Sequence, residues 1–261
     1  MKLQALIFDV DGTLAETEEF HRAAFNQAFA RVGFNWNWDR ELYKELLKVT
    51  GGKERILHYL RQFRPEDLDR AEPQIAHIHR LKTQIYGEII QQGPVELRPG
   101  VSRLIAEVQS SGVRLAIATT TSLNNVHALL ERTLGAPGIE LFQIIVAGDE
   151  APAKKPSPDA FEIALKRLNI SSSECIALED SANGVMAAQS AGLKVIATPG
   201  IYTADDNFAG ASSVISDLGE PHRPHQHISG WDWPQGVVTV AALQERASQG
   251  RAGPDGRADW A

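Results

Sequence analysis

A chain of 261 residues, 43% hydrophobic and 23% charged, can bury one large core, or a core with a smaller companion, and has the make-up of an ordinary globular protein. Its net charge of −7 argues against a general nucleic-acid surface, which needs a basic face, but leaves room for a local cationic pocket. No apolar run reaches the ~20 residues needed to cross a bilayer, and the first residues enter a strand pattern with no secretory leader, so a cytoplasmic protein with no membrane partner is expected.

The first element is an apolar run, Leu3 to Phe8, which reads as a buried strand. It leads into Asp9-Val10-Asp11-Gly12-Thr13-Leu14. An unpaired ionised carboxylate in an apolar place costs several kcal/mol, roughly, or shifts its pKa, so both aspartates belong at the strand's end. Alternation along an extended chain sends their side chains to one face. A hard divalent cation wants oxygen ligands of this kind. Alone, an Asp-x-Asp-Gly turn also fits a calcium loop or a solvated turn.

Residues 16–92 read as nearly all helix. Phe20, Ala24 and Ala28 repeat at four-residue spacing, as do His21, Phe25 and Phe29, forming one apolar stripe. Leu42, Leu46 and Val49 continue the pattern, then Ile56, Leu57 and Leu60, then Ile75, Ile78, Leu81 and Ile85. Pro65 and Pro73 fit helix starts or connections.

From Pro94 short β-branched or apolar runs alternate with amphipathic stretches. The runs are Val113–Thr119, Gln143–Ala147, Cys175–Leu178, Val195–Thr198 and Ser213–Ile215. Helical spacing fills 100–110, 122–134, 157–168 and 182–191. Gly112 and Gly192 precede strands as helix C-caps do, and Ser157-Pro158 reads as an N-cap with proline at the first helical position. This alternation predicts an α/β fold, a doubly wound parallel Rossmann-like sheet. The single cysteine, Cys175, sits in a strand-like run and is expected in the core.

The first strand is thus separated from its sheet by a helical insertion, placed to cover the turn at Asp9 and Asp11. The expected organisation is a core of residues 1–15 plus 93–221, an all-helical cap domain of 16–92, and a partly disordered C-terminal segment of 222–261. His222, His225 and His227 lie in that last segment and read as a solvated tail rather than a metal site.

Ligands of open α/β sheets bind beyond the carboxyl ends of the strands. Each predicted strand end carries a polar group there: Thr119-Thr120-Thr121-Ser122, Lys154-Lys155-Pro156 and Glu179-Asp180-Ser181 follow successive strands. Each alone fits a helix cap or a solvated loop.

Together, and in this order, the four segments resemble the motifs of the haloacid dehalogenase superfamily, most of whose members transfer phosphoryl groups. The resemblance implies Asp9 as nucleophile, Asp11 as general acid and base, Thr119 as a hydrogen-bond donor to the phosphoryl group, and Lys155 as the cation that neutralises it. It also implies Mg²⁺ as cofactor, held by Asp9, the Asp11 carbonyl and Asp180, with Glu179 nearby. The insertion directly after the first motif resembles the β-phosphoglucomutase-like branch. Gly51-Gly52-Lys53-Glu54-Arg55-Ile56, Thr119-Thr120-Thr121-Ser122 and Glu179-Asp180-Ser181-Ala182-Asn183-Gly184 look most like its CbbY group. That group implies a phosphatase that removes xylulose-1,5-bisphosphate, an inhibitor of Rubisco, in carbon-fixing organisms.

Substrate candidates follow from chemistry. Gly51 and Gly52 let backbone approach a ligand closely. Lys53 and Arg55 are cations beside a helix N-terminus. Thr120, Thr121 and Asn124, just past Thr119, suit a second phosphate. Glu16 and His21 follow Asp11 closely enough to touch substrate hydroxyls or to position Asp11, although His21 also fits the helical stripe. A sugar phosphate is the expected partner, and the chain is expected to be a monomer. A phosphomutase uses the same motifs and remains an alternative. A non-catalytic module on the same fold would have lost Asp9, Asp11, Lys155 or Asp180, and all four are present.

Overall fold

The computed structural model describes residues 2–248. Strand β1 (Ala5–Phe8) is wholly buried, and a helical insertion follows it: α1 (Glu18–Arg31), α2 (Arg40–Leu46), α3 (Gly52–Phe63), the short α4 (Leu68–Ala71) and α5 (Ile75–Gln92). The chain then alternates: α6 (Val101–Ser111), β2 (Arg114–Ala118), α7 (Leu123–Leu134), β3 (Ile144–Val146), α8 (Asp159–Leu168), β4 (Cys175–Glu179), α9 (Ala182–Ser190), β5 (Lys194–Ala197) and β6 (Ser213–Ile215). It closes with β7 (His227–Gly230) and α10 (Val240–Ser248).

The strands form one sheet in the order β3-β2-β1-β4-β5-β6-β7. Pairing is parallel from β3 through β6, and only β7 runs antiparallel. The doubly wound α/β core is therefore as expected, with one antiparallel edge that the spacing did not show. β1 lies between β2 and β4, so both of its edges are paired, and its side chains pack into a core on each face, so every residue is apolar. Leu6 and Phe8 join one packed layer, with Ile117, Ile176 and Leu178. Ala5 and Ile7 join the other, with Ala116, Ala177 and Cys175.

In the insertion α1 and α5 pack as its spine. The segment 32–39 leaves the helical path that the periodicity suggested. Gly33, at φ +81°, turns the chain back, and Trp36 and Trp38 then fold onto Phe29 at centroid distances of 5.2 and 4.8 Å. Aromatic area, not helical hydrogen bonding, holds this loop. Where the chain leaves and rejoins the core, Ala15 and Leu97 form an antiparallel bridge.

The end of the chain differs from the tail expected from its polar composition, at least through residue 248. β7 extends the sheet, Trp233, Val238 and Leu243 are buried, and the Trp233 indole donates to Ser213 Oγ at 2.9 Å. The Val240 amide donates to Glu107 Oε2, fixing α10 against α6. His225 is buried rather than solvated. Trp231 and Trp233 supply the apolar area that a count of polar residues overlooks. Residues 249–261 lie outside the described part.

Candidate active site

The carboxyl ends of β1, β2 and β4, and the loop after β3, converge on one cavity of about 310 Å³, walled on its far side by the insertion. Asp9 sits one residue beyond β1, and its amide donates to Leu178 O on β4, so the sheet itself fixes this carboxylate. Lys155 Nζ lies 2.6 Å from Asp9 Oδ1 and 2.5 Å from Glu179 Oε1. Asp9, Lys155, Glu179 and Asp180 are all buried. Two of these three carboxylates thus share one ammonium, and Asp180 lies buried beside them without it. Burial, only partly offset by Lys155, pushes Asp9 up to about 7. Burial, then Glu179 and Asp9, raise Asp180 well above the carboxylate range. For Lys155 burial opposes the charge, but Asp9 and Glu179 override it and raise its pKa.

One oxygen each from Asp9, Glu179 and Asp180 lies within 4.8 Å of the others. A hard divalent cation suits such a set, since it supplies the positive charge that one lysine cannot. Gly12 makes the crowding possible. Its φ is +79°, and a Cβ there would lie 2.1 Å from Asp180 Oδ2.

Asp11 is held differently. Thr17 Oγ1 donates to its Oδ1 at 2.5 Å, and His21 Nε2 stands 2.9 Å from the same oxygen. Lys82 Nζ is 2.6 Å from His21 Nδ1. An ammonium only donates, so Nδ1 accepts and Nε2–H is left to donate to Asp11; the neighbours assign this tautomer. The His21 ring stacks on Tyr86 at 4.0 Å. Burial opposes ionisation of Asp11, but His21, Thr17 and Lys82 overcome it and hold its pKa at about 2. Burial lowers Lys82 to about 8.

Most predicted site residues line the cavity. From the strand ends come Asp9, Asp11, Thr119, Thr120, Thr121, Lys155 and Asp180, and from the insertion His21, Gly51, Gly52, Lys53 and Arg55. Three do not. Glu179 is fully buried behind Lys155, where it meets the cluster rather than the cavity. Glu16 turns away and pairs with Arg98 at 3.5 Å. Asn124 is exposed at the start of α7; the next residue, Asn125, faces inward and donates to Thr121 Oγ1 at 3.2 Å. One step along a helix turns a side chain by about 100°, and a spacing argument placed it one residue early. Arg55 has a second task, since it also donates to the carbonyls of Leu46 and Val49.

Lys82 and His79 also line the cavity and were not found from the sequence. Lys82 left a signal: it is a charge on the buried stripe of Ile78, Ile85 and Tyr86 along α5. Burial, then Lys82 and Lys53, lower His79 to about 3, so its imidazole stays neutral.

A model of haloacid dehalogenase-like hydrolases matches residues 3–192, a span that takes in Asp9, Asp11, Thr119, Lys155, Glu179 and Asp180. The chain belongs to the haloacid dehalogenase-like hydrolases. Within them it is a phosphatase of the CbbY type. It is 50% identical over 218 residues to protein CbbY of Cereibacter sphaeroides, covering 84% of this chain and 94% of that one. It is 38% identical over 223 residues to a CBBY-like protein of Arabidopsis thaliana, covering 83% and 70%. Among solved structures, CbbY from Rhodobacter sphaeroides in complex with phosphate matches at a TM-score of 0.77 and 49% identity, covering 82% of this chain and 94% of that one. An aspartate-to-asparagine mutant of the same protein, in complex with xylulose-(1,5)bisphosphate, matches at a TM-score of 0.76 and 48% identity, with the same coverage. A β-phosphoglucomutase of Clostridium difficile, 22% identical with a TM-score of 0.69, shares the fold.

Proposed function

We propose that this chain is a Mg²⁺-dependent sugar-phosphate phosphatase that works through an aspartyl-phosphate on Asp9 and removes one phosphate of xylulose-1,5-bisphosphate. The observation that carries the reading is the division of labour between two carboxylates on one turn. Asp9 is fixed by the sheet and by Lys155, as a nucleophile must be, and Asp11 is held apart by Thr17, His21 and Lys82, as a proton carrier must be.

Asp9, Asp180 and Glu179 would hold the Mg²⁺, with the Asp11 carbonyl. When bound, the ion neutralises charge that builds up on the phosphoryl oxygens. The chain's own residues do the rest. An Asp9 oxygen bonds to phosphorus as the bond to the sugar oxygen breaks, and the leaving oxygen takes a proton from Asp11. The approach of an anionic phosphoryl group disfavours a charge on Asp11 and brings it to the protonated form that this half needs. Lys155 and the Thr119 hydroxyl meet the phosphoryl oxygens. Water then attacks phosphorus and gives its proton to Asp11, and the Asp9–phosphorus bond breaks to release inorganic phosphate.

In this reading residues 1–15 with 93–221 form the catalytic core and 16–92 a cap that covers it. Cations line the cavity from both the core and the insertion, as a substrate with two anionic ends requires. Lys155 stands at the reacting end, and Lys53 and Arg55 reach in from the insertion. The neighbouring protein's complex with xylulose-(1,5)bisphosphate supports the same choice. Phosphate release from a panel of sugar mono- and bisphosphates, with Mg²⁺ and with Asp9→Asn as control, tests it. Release from xylulose-1,5-bisphosphate ahead of ribulose-1,5-bisphosphate, lost in Asp9→Asn, is expected. Isomerisation of a hexose 1-phosphate without phosphate release would make the chain a phosphomutase.

A further inference from the structure

Arg98 is buried just where the return connection from the insertion re-enters the core, one residue after the Ala15–Leu97 bridge. Nothing in the reaction as described uses it, yet all three of its guanidinium nitrogens are engaged. Nη1 donates to the carbonyls of Gly12 and Thr198, the second at 2.5 Å. Nη2 donates to the carbonyls of Pro199 and Ser216, at 2.9 and 2.8 Å. Nε faces Glu16 Oε1 at 3.5 Å. The Arg98 amide adds a bond to Leu14 O at 2.8 Å, so the turn of residues 10–15 is gripped at two points. Only the planar five-donor fork of arginine reaches four carbonyls at once.

The acceptors are not a random set. Gly12 follows Asp11 and packs against Asp180. Thr198 and Pro199 root the loop that meets the insertion, through Tyr202 to Glu19 and through a 2.6 Å ion pair between Lys44 and Asp205. The same loop brings Thr203 Oγ1 to 3.4 Å from Asp180 Oδ2. Asp9, in contrast, is fixed by the sheet ladder and Lys155, and Arg98 does not touch it.

We infer that Arg98 is a positioning residue that holds the Gly12 turn, and with it Asp11, in register with the strand ends while the insertion moves. The inference rests on the proposed phosphatase reading. It separates the two halves of the chemistry when Mg²⁺ is saturating, so that a weaker hold through the Asp11 carbonyl is made good: loss of Arg98 should then spare attack by Asp9 and harm the proton transfers of Asp11. Arg98→Lys keeps the charge but offers three donors from one point.

The test compares two substrates. para-Nitrophenyl phosphate has a leaving group that departs without a proton, so its first-turnover burst reports Asp9. Steady-state phosphate release from a sugar phosphate needs Asp11 in both halves. With Mg²⁺ saturating for both proteins, Arg98→Lys should leave the burst rate close to that of the wild type while sugar phosphate kcat falls on the order of 10²-fold. Equal losses in both would show a general loosening and overturn the inference, as would no loss in either. If Arg98→Lys gives no cooperative melt, Thr198→Val replaces it. This variant removes the hydroxyl that accepts from Nη1 at 3.3 Å and donates to Glu179 O at 3.4 Å, and a smaller loss with the same asymmetry is expected, with equal or absent losses overturning the inference. A wild-type enzyme that releases no phosphate, or an Asp9→Asn variant that still does, would instead sink the phosphatase reading itself.

Discussion

Asp9→Asn should make the metal-free protein more stable, and its size follows from the buried cluster. Asp9 titrates near 7 in the folded chain against an ordinary 3.8. Below 3.8 the carboxyl is protonated whether the chain is folded or not. Between 3.8 and about 7 the unfolded chain binds fewer protons than the folded one, so wild-type stability falls as pH rises through this window, and the loss is complete above about 7. Each pH unit is worth about 1.4 kcal/mol, which gives an upper value of roughly 4 kcal/mol. The attraction of Lys155 for the ionised carboxylate is already counted in that value. For a chain of this size the gain is at most a rise of about 8–16 °C in Tm. Thermal melts of both proteins without divalent cations, from pH 4.5 to 8, read it directly. The gain should be near zero at the acid end, grow with pH and level off above about 7, and added Mg²⁺ should narrow it by stabilising the wild type. A gain of the same size at every pH, or a variant less stable at pH 8, would refute the reasoning.

Other perturbations probe the rest of the site. Lys82→Met frees the His21 tautomer and should lower kcat on the order of 10²-fold, while melts show a stability loss of only about 1 kcal/mol, the cost of the orphaned His21 Nδ1 being offset in part by relief of a buried ammonium. Gly12→Ala places a Cβ 2.1 Å from Asp180 Oδ2 at a φ of +79°, and calorimetric titration should find weakened Mg²⁺ binding together with a kcat loss on the order of 10²-fold. His79 has its pKa lowered to about 3, so between 6.5 and 3 the unfolded chain takes up a proton that the folded one refuses. Stability should therefore fall as pH drops below 6.5, and His79→Gln should flatten that slope in melts.

The core was legible because its signals are local. A buried parallel strand reads as an apolar run, and every predicted run from Leu3 to Ile215 holds a strand of the sheet. The strand-end groups were legible for the same reason: chain order alone puts Asp9, Thr119, Lys155 and Asp180 beyond successive strands, and parallel pairing then gathers them. What escaped depends on contacts between distant segments. The 32–39 loop follows aromatic packing, not periodicity. The terminal segment through residue 248 folds because Trp233 and Leu243 find an apolar seat on the core, which polar neighbours in sequence conceal. Asn125 in place of Asn124 is a question of helix phase, and Glu16 found Arg98, some eighty positions along the chain. Lys82 was visible as a charge out of place on an apolar stripe, a pattern that marks a site only once its partner His21 is known.

The central claim is that Asp9 carries the phosphoryl group. Rapid acid quench of the enzyme with Mg²⁺ and xylulose-1,5-bisphosphate, followed by mass analysis of the N-terminal peptide, tests it most directly. A transient phosphorylated peptide mapping to Asp9, formed and lost at rates that account for kcat and absent in Asp9→Asn, is the predicted result. Turnover at full rate with no phosphorylated peptide at any quench time, or phosphate release that survives Asp9→Asn, would contradict it.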